Sequence, residues 1–400
     1  MNQKPAEQIN ILSIQHQNLN GHWHHLANSL AESFLDKNYA VKIICPTTSP
    51  IGNASIEIKN KLDPGIGQTP DHWTIAMIKT FVAEIRETKG FTIMYDGRIP
   101  LLMQVLIASR KMKSDSCFYF NLMGGAIRER KSFLDFRFYI LKYLLSQVKK
   151  QNRVQLISES NELSNYVEMI SGLKTETFPV FPPISFEDTK RSESFGDLII
   201  LEDHKHSDYA LDEVQKYLSN ADDKFKITLW ISKPNRRFLE TKKSNKNQRL
   251  DLVEGFLEKN EYIELMTKHL RHIFVYDSSK YLFSTSGKLM ESISMQRSIA
   301  VPKEGTFQAL TEKHYSGNFV LSSFGPNELV KLLKTSPILP EQVLPCSSDE
   351  SVIQLEKRML HQLPPNRSIS FRSSLVCVSL LALTVLLFKI KKYRKKAKST

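Results

Sequence analysis

Short apolar runs alternate with amphipathic stretches along most of this chain. Ile9 to Ile14 is a strand-length apolar run, Gln15 to Gly21 is a polar turn, and Leu26, Leu30 and Phe34 then recur at helical spacing. Ala40 to Cys45 returns to strand and Pro46 ends it, so the opening predicts a β-α-β unit. The same reading predicts helices at 73–88, 100–111, 133–149 and 160–171, with strands at 91–95, 117–121 and 155–158. Phe178-Pro-Val-Phe-Pro-Pro183 and the polar stretch behind it break the pattern and read as a linker. A second series follows, with strands at 198–201, 226–231, 272–276, 299–301 and 318–321. Its helices are expected at 210–219, 262–269, 288–295 and 326–334, with 247–259 partly helical. Alternation on this scale predicts an α/β protein with two Rossmann-like domains, each a parallel sheet covered by helices on both faces. The expected boundaries are 1–178 and 197–336, joined by the linker 179–196, with a returning helix and tether over 337–372.

The end of the chain departs from this pattern. Ser373 to Phe388 is sixteen residues without a charge, followed by seven basic residues from Lys389 to Lys398. As a helix the apolar run would span about 24 Å, short of the roughly 30 Å hydrocarbon layer unless Arg372 and Lys389 snorkel outward. A membrane segment at 373–390 with a basic tail at 391–400 is the expectation, as a spanning helix or as a shallow insertion with its lysines on anionic head groups. A buried C-terminal helix is the other reading of the same run. The N-terminal residues carry no apolar signal segment, so the domains are expected in the cytoplasm, membrane-associated through the tail. A spanning tail would then export its basic end, against the positive-inside tendency.

Composition changes the picture little. A chain of 400 residues, 41% hydrophobic, can fill two cores. Seven of its 13 net positive charges lie in the tail, leaving a mildly basic body with no basic run interleaved with aromatics; no nucleic-acid partner is expected. Cys45, Cys117, Cys346 and Cys377 are too far apart for a metal-ligand pattern and suggest no disulfide framework. His22, His24 and His25 flank Trp23 without a carboxylate or cysteine at ligand spacing, so neither a metal nor another cofactor is expected.

Candidate chemistry concentrates in Phe283-Ser-Thr-Ser-Gly-Lys-Leu-Met-Glu291, which runs on to Pro302. A small polar loop with a glycine opens a helix, an acid follows on its first turn, and a short apolar strand closes the unit. Unpaired amides at a helix start bind anions, so Ser286 and Gly287 are candidate phosphate contacts. Lys288 and Glu291, three apart, share a helical face, where an amine can meet phosphate and a carboxylate can accept hydrogen bonds from sugar hydroxyls. An ordinary capped helix is the competing reading. Arg98, in Asp96-Gly-Arg98 after a strand, is a candidate for an anionic acceptor, or else part of a plain turn. Arg128, Arg130 and Lys131 offer a further basic run.

With both halves in view, residues 9 to 362 resemble the GT-B glycosyltransferases, especially the retaining group, family 4-like, that builds polysaccharides and glycolipids from nucleotide sugars. The resemblance rests on Asn20-Gly-His-Trp-His-His-Leu-Ala with Ala40-Val-Lys-Ile-Ile-Cys45, on Phe181-Pro-Pro-Ile184, and on Ser286-Gly-Lys-Leu-Met-Glu291 with Gln296-Arg-Ser-Ile-Ala-Val301. It implies two domains facing a central cleft. Glu291 would take the donor hydroxyls, Ser286, Gly287 and Lys288 the diphosphate, and Gly21 the approach of the first loop to the donor. Lys205 would supply positive charge, while His22, Arg98 and Asn121 would lie on the acceptor side. Two glutamates with seven residues between them are usual in the family; here the first position is Phe283. The implied function is a membrane-associated transfer of sugar from a nucleotide-sugar donor to a lipid-linked or polysaccharide acceptor. The substituted glutamate keeps a second possibility, a catalytically inactive glycosyltransferase-like module in a membrane polysaccharide-assembly complex.

Overall fold

The computed structural model describes residues 8–12, 22–45, 57–60, 75–113, 116–122, 136–178, 196–201, 206–220, 226–276, 282–283, 286–314, 319–321, 325–339, 352–353, 355–357 and 370–397. Its contacts divide the chain into two compact units, one of residues 1–183 and 347–400, the other of residues 184–346.

The first unit is built on seven parallel strands: β1 (Gln8–Leu12), β2 (Ala40–Cys45), β3 (Glu57–Asn60), β4 (Phe91–Gly97), β5 (Cys117–Leu122), β6 (Val154–Ser158) and β7 (Glu176–Thr177). They lie in the order β3-β2-β1-β4-β5-β6-β7. Helices α1 (His22–Asp36), α2 (Ile75–Glu87), α3 (Ile99–Ser109), α4 (Phe136–Lys149) and α5 (Asn161–Ser171) connect them. Strand β5 is buried on both faces, which is why Cys-Phe-Tyr-Phe-Asn-Leu reads as continuous rather than alternating. One core joins Ile9 and Ile11 of β1, Leu30 and Phe34 of α1, and Val352 and Leu355 from the returning C-terminal segment. Lys37 meets Glu356 at 2.8 Å beside it, a half-exposed ion pair that adds little.

The second unit repeats the design with six parallel strands: β8 (Asp197–Leu201), β9 (Ile227–Ile231), β10 (Leu250–Glu254), β11 (Arg271–Val275), β12 (Ser298–Pro302) and β13 (Phe319–Leu321). Their order is β10-β9-β8-β11-β12-β13, so each sheet reverses direction beside its first strand, between β1 and β4 or between β8 and β11. Beyond the carboxyl ends of the strands at such a reversal is where open α/β sheets bind ligands. The helices here are α6 (Ser207–Asn220), α7 (Arg236–Ser244), α8 (Lys259–Lys268), α9 (Gly287–Ser294), α10 (Gly305–His314) and α11 (Glu328–Leu333).

The opposite ends of β8 and β11 are locked. Asp197 and Arg271 open these neighbouring strands in register, and both are 2% exposed. Arg271 Nε and Nη2 donate to the two Asp197 oxygens at 2.8 and 2.6 Å, while Nη1 donates to the carbonyls of Leu332 and Thr335 at 3.0 and 2.9 Å. A buried charge is tolerated only when its partners are complete, and here one guanidinium ties two strands to the end of α11.

Two sequence expectations are corrected. Residues 247–259 are not a partial helix: Leu250 and Leu252 point inward from an edge strand, β10, while α7 lies upstream. Of α7's nine residues only Phe238 is buried, which leaves no apolar periodicity to read. The membrane-spanning expectation for 373–390 is also replaced. Phe371–Ala397 forms one helix, α12, but no helix among the described residues is long and apolar enough to cross a membrane. Cys377 and Leu381 of α12 are buried, and the helix packs on α3 and α4.

Asp197→Ala, which strands a buried guanidinium, should cost about 3–5 kcal/mol of stability. Urea unfolding of the variant against the parent measures it; a loss below about 1 kcal/mol would remove the lock from the account.

Candidate functional site

At the β8–β11 reversal, β11 runs through Val275 and Tyr276 toward the start of α9. Ser286 is the N-cap residue, extended at φ −130°, ψ 126°, and its side chain makes no cap hydrogen bond. The first turn-closing bond runs from the Met290 amide to the Ser286 carbonyl at 3.0 Å. The amides before it, Gly287 to Leu289, are the ones a helix cannot pair internally, and they carry its positive dipole end.

Because the helix begins at Gly287, Glu291 lies beyond the first turn, one step deeper than the sequence suggested. It is 2% exposed, and its Oε2 accepts a hydrogen bond from the Tyr262 hydroxyl of α8. Burial first, and then the Glu291 charge and that hydrogen bond, hold the Tyr262 phenol well above its usual range, so it stays a donor. Lys288 Nζ sits 3.6 Å from the ring centre of Trp230 on β9. The Trp230 and Tyr262 rings are 5.6 Å apart, and Trp230 Nε1 donates to the Gly255 carbonyl at 3.2 Å. Lys288 and Glu291 therefore do share a face, and that face holds an aromatic pair contributed by β9 and α8.

The base of α9 is anchored as firmly. Ser292 Oγ lies 2.7 Å from His272 Nδ1 of β11, and His272 Nε2 is 3.1 Å from the Met266 carbonyl. Beside it, His269 Nδ1 donates to the Leu265 carbonyl and its Nε2 accepts from the Thr228 hydroxyl, both at 2.8 Å. Burial pushes His269 down to about 4 and His272 well below its usual range, so both imidazoles are neutral at pH 7.

In the first unit, Arg98 is the N-cap residue of α3, half-buried, at the carboxyl end of β4. Gly97 ends the strand itself, where a Cβ would come within 2.1 Å of the Asn121 carbonyl and 2.4 Å of the Phe120 ring. Only glycine allows this approach of β4 to β5, and it brings Arg98 and Asn121 to the ends of neighbouring strands. Asn121 is 1% exposed, within β5. His22 is the first residue of α1; its side chain, Gly21, Lys205, Arg128, Arg130 and Lys131 lie outside the described residues. Ser286, Gly287, Lys288 and Glu291 thus come together on one helix start. Trp230 and Tyr262 were missed, because neither residue sits in a motif; their partnership exists only through the sheet order.

No protein-family profile and no curated protein matches the sequence. Solved structures do match. AviGT4, a glycosyltransferase involved in avilamycin A biosynthesis, superposes with a TM-score of 0.56 at 7% identity, over 88% of this chain and 97% of that one. WaaG, a glycosyltransferase involved in lipopolysaccharide biosynthesis, gives 0.51 at 11% identity, over 89% and 95%. The UDP-GlcNAc 2-epimerase of Neisseria meningitidis, bound to UDP-GlcNAc, gives 0.56 at 11% identity, over 89% and 100%.

Neutral buried histidines bind protons more weakly folded than unfolded, so stability should be full above about pH 6.5 and fall as pH drops toward 4. For His269 the loss is on the order of 3 kcal/mol. Urea midpoints measured across this window should fall less steeply for His269→Asn; an unchanged profile would contradict the assignment. The chain has the GT-B fold of two parallel Rossmann-like sheets, structurally similar to family 4 glycosyltransferases and to UDP-GlcNAc 2-epimerases at low sequence identity.

Proposed function

We propose that this chain is a membrane-associated glycosyltransferase that moves a sugar from a nucleotide-sugar donor to a lipid-linked or polysaccharide acceptor. The observation that carries the reading is the start of α9: uncapped by its own Ser286 side chain, at the reversal of the second sheet, with Lys288 and the buried Glu291 on one face. The diphosphate would dock over the amides of Gly287 to Leu289. There the helix dipole and Lys288 would stabilise the charge that builds as the bond from the anomeric carbon to the phosphate oxygen breaks. The acceptor hydroxyl oxygen would form the new bond to the anomeric carbon and pass its proton to the departing diphosphate. Glu291, which accepts one hydrogen bond from Tyr262, has lone pairs for a donor hydroxyl as well, and Tyr262 would fix its orientation. Lys205, Gly21 and His22 are retained as donor-side and acceptor-side candidates from the sequence, with Arg98 and Asn121 on the acceptor side. No bound metal is required.

A second reading has its own support. Phe283, 6% exposed, stands where the resembled family has a glutamate, and Lys288 and Glu291 already have protein partners; a catalytically inactive module would look the same. Similarity to epimerases adds the isomerisation of a free nucleotide sugar as an outcome to be scored.

The test incubates the purified chain and its Glu291→Gln variant with membranes and a panel of nucleotide sugars, following released nucleoside diphosphate and sugar isomers. Membrane-dependent diphosphate release that falls roughly 10- to 100-fold in the variant is expected. Isomer formation without an acceptor would assign the epimerase chemistry, and no nucleotide binding by calorimetry would assign the module.

A further inference from the structure

Helix α12 is amphipathic the wrong way round for water. The face it turns to the protein carries Ser374, Cys377 and Leu381, all buried, with Ser373, Leu380 and Thr384 half-buried beside them. The face it turns outward carries Phe371 (58% exposed), Leu375 (50%), Val378 (46%) and Leu386 (54%), with Val376 and Leu383 on its shoulder. At about 100° per residue the buried set occupies one side of the helix, and the exposed set runs from its edge at Phe371 and Val378 round to Leu375 and Leu386 on the far side. Arg372, Ser379 and Ala382 are also exposed, but most of the outward surface is made of large apolar side chains. Contact with the body is specific: the Arg110 guanidinium caps the Phe371 ring at 4.4 Å, and Tyr143 of α4 hydrogen-bonds Ser373. Phe136 and Tyr139, also on α4, are themselves exposed at 49% and 41%.

We infer that the outward face of α12 is an in-plane docking surface for an anionic lipid bilayer. This rests on the membrane-associated part of the reading above but not on sugar transfer. Two observations select lipid over a protein partner. First, the helix continues past Phe388 through six basic residues, Lys389 to Lys396, and carries no acidic residue along its length. Such a basic end complements anionic head groups, while the apolar face enters the head-group and acyl boundary by about 5–10 Å. Second, one side of the helix is occupied by α3 and α4, which excludes a spanning arrangement and leaves only the outward side for the bilayer.

The full chain is mixed with vesicles of phosphatidylglycerol and phosphatidylcholine, or of phosphatidylcholine alone, and sedimented. The inference expects binding to the anionic vesicles that weakens with salt, and little to the neutral ones. Leu375→Glu with Leu386→Glu should weaken it by at least about 100-fold, about tenfold for each exposed leucine withdrawn from lipid. Since both side chains face outward, far-ultraviolet circular dichroism and nucleoside-diphosphate binding should be unchanged. Reversal of Lys391, Lys392, Lys395 and Lys396 to Glu should also abolish vesicle binding. Equal binding of parent and variants, or indifference to lipid charge, overturns the inference. So does a dimer in light scattering that the leucine substitutions dissolve, because the face would then belong to a second copy.

Discussion

Everything in this molecule follows from one constraint: a parallel sheet covered on both faces can express chemistry only at its ends. Side chains along β5 or β8 are buried without exception, so those strands can contribute packing but not reactivity. In the second unit the two ends are specialised. The amino ends of β8 and β11 are closed by Asp197, Arg271 and the carbonyls after α11. At the carboxyl ends, β11 leads to α9, whose backbone amides, lysine and carboxylate are the groups a diphosphate and a sugar would require. Locking one end of the sheet leaves the other free to be polar.

The same economy explains how α9 is held. Ser292 reaches back to the imidazole of β11 while Lys288 and Glu291 reach sideways to Trp230 and Tyr262, so the helix start is positioned from two directions. Preorganisation of this kind matters most where charge develops in a transition state. It also means that the residues suggested for the donor have structural duties, and that a substitution at Lys288 or Glu291 acts on packing as well as binding.

Much of the fold was legible because its strands and helices bury apolar side chains at regular spacing, as in β1, α1 and β11. What escaped was polar or partnered at a distance. Helix α7 buries only Phe238, and strand β10 alternates over too few residues to outweigh the helix-forming residues around it. The helix start at Gly287 was readable from its small polar loop; the roles of Trp230 and Tyr262 were not, because residues 32 apart meet only once β9 and α8 are stacked in order. Apolar content alone also misled over α12. Sixteen uncharged residues suggested a span, whereas Ser374, Cys377 and Leu381 are buried where the helix lies against α3 and α4.

The central claim is that the start of α9 seats a diphosphate, and the most direct measurement is a crystal structure of the chain soaked with a nucleoside diphosphate. The account predicts phosphate density over the amides of Gly287 to Leu289, with Lys288 turned toward it from the Trp230 ring. Density elsewhere in the second unit, with Lys288 still resting on Trp230, would contradict it.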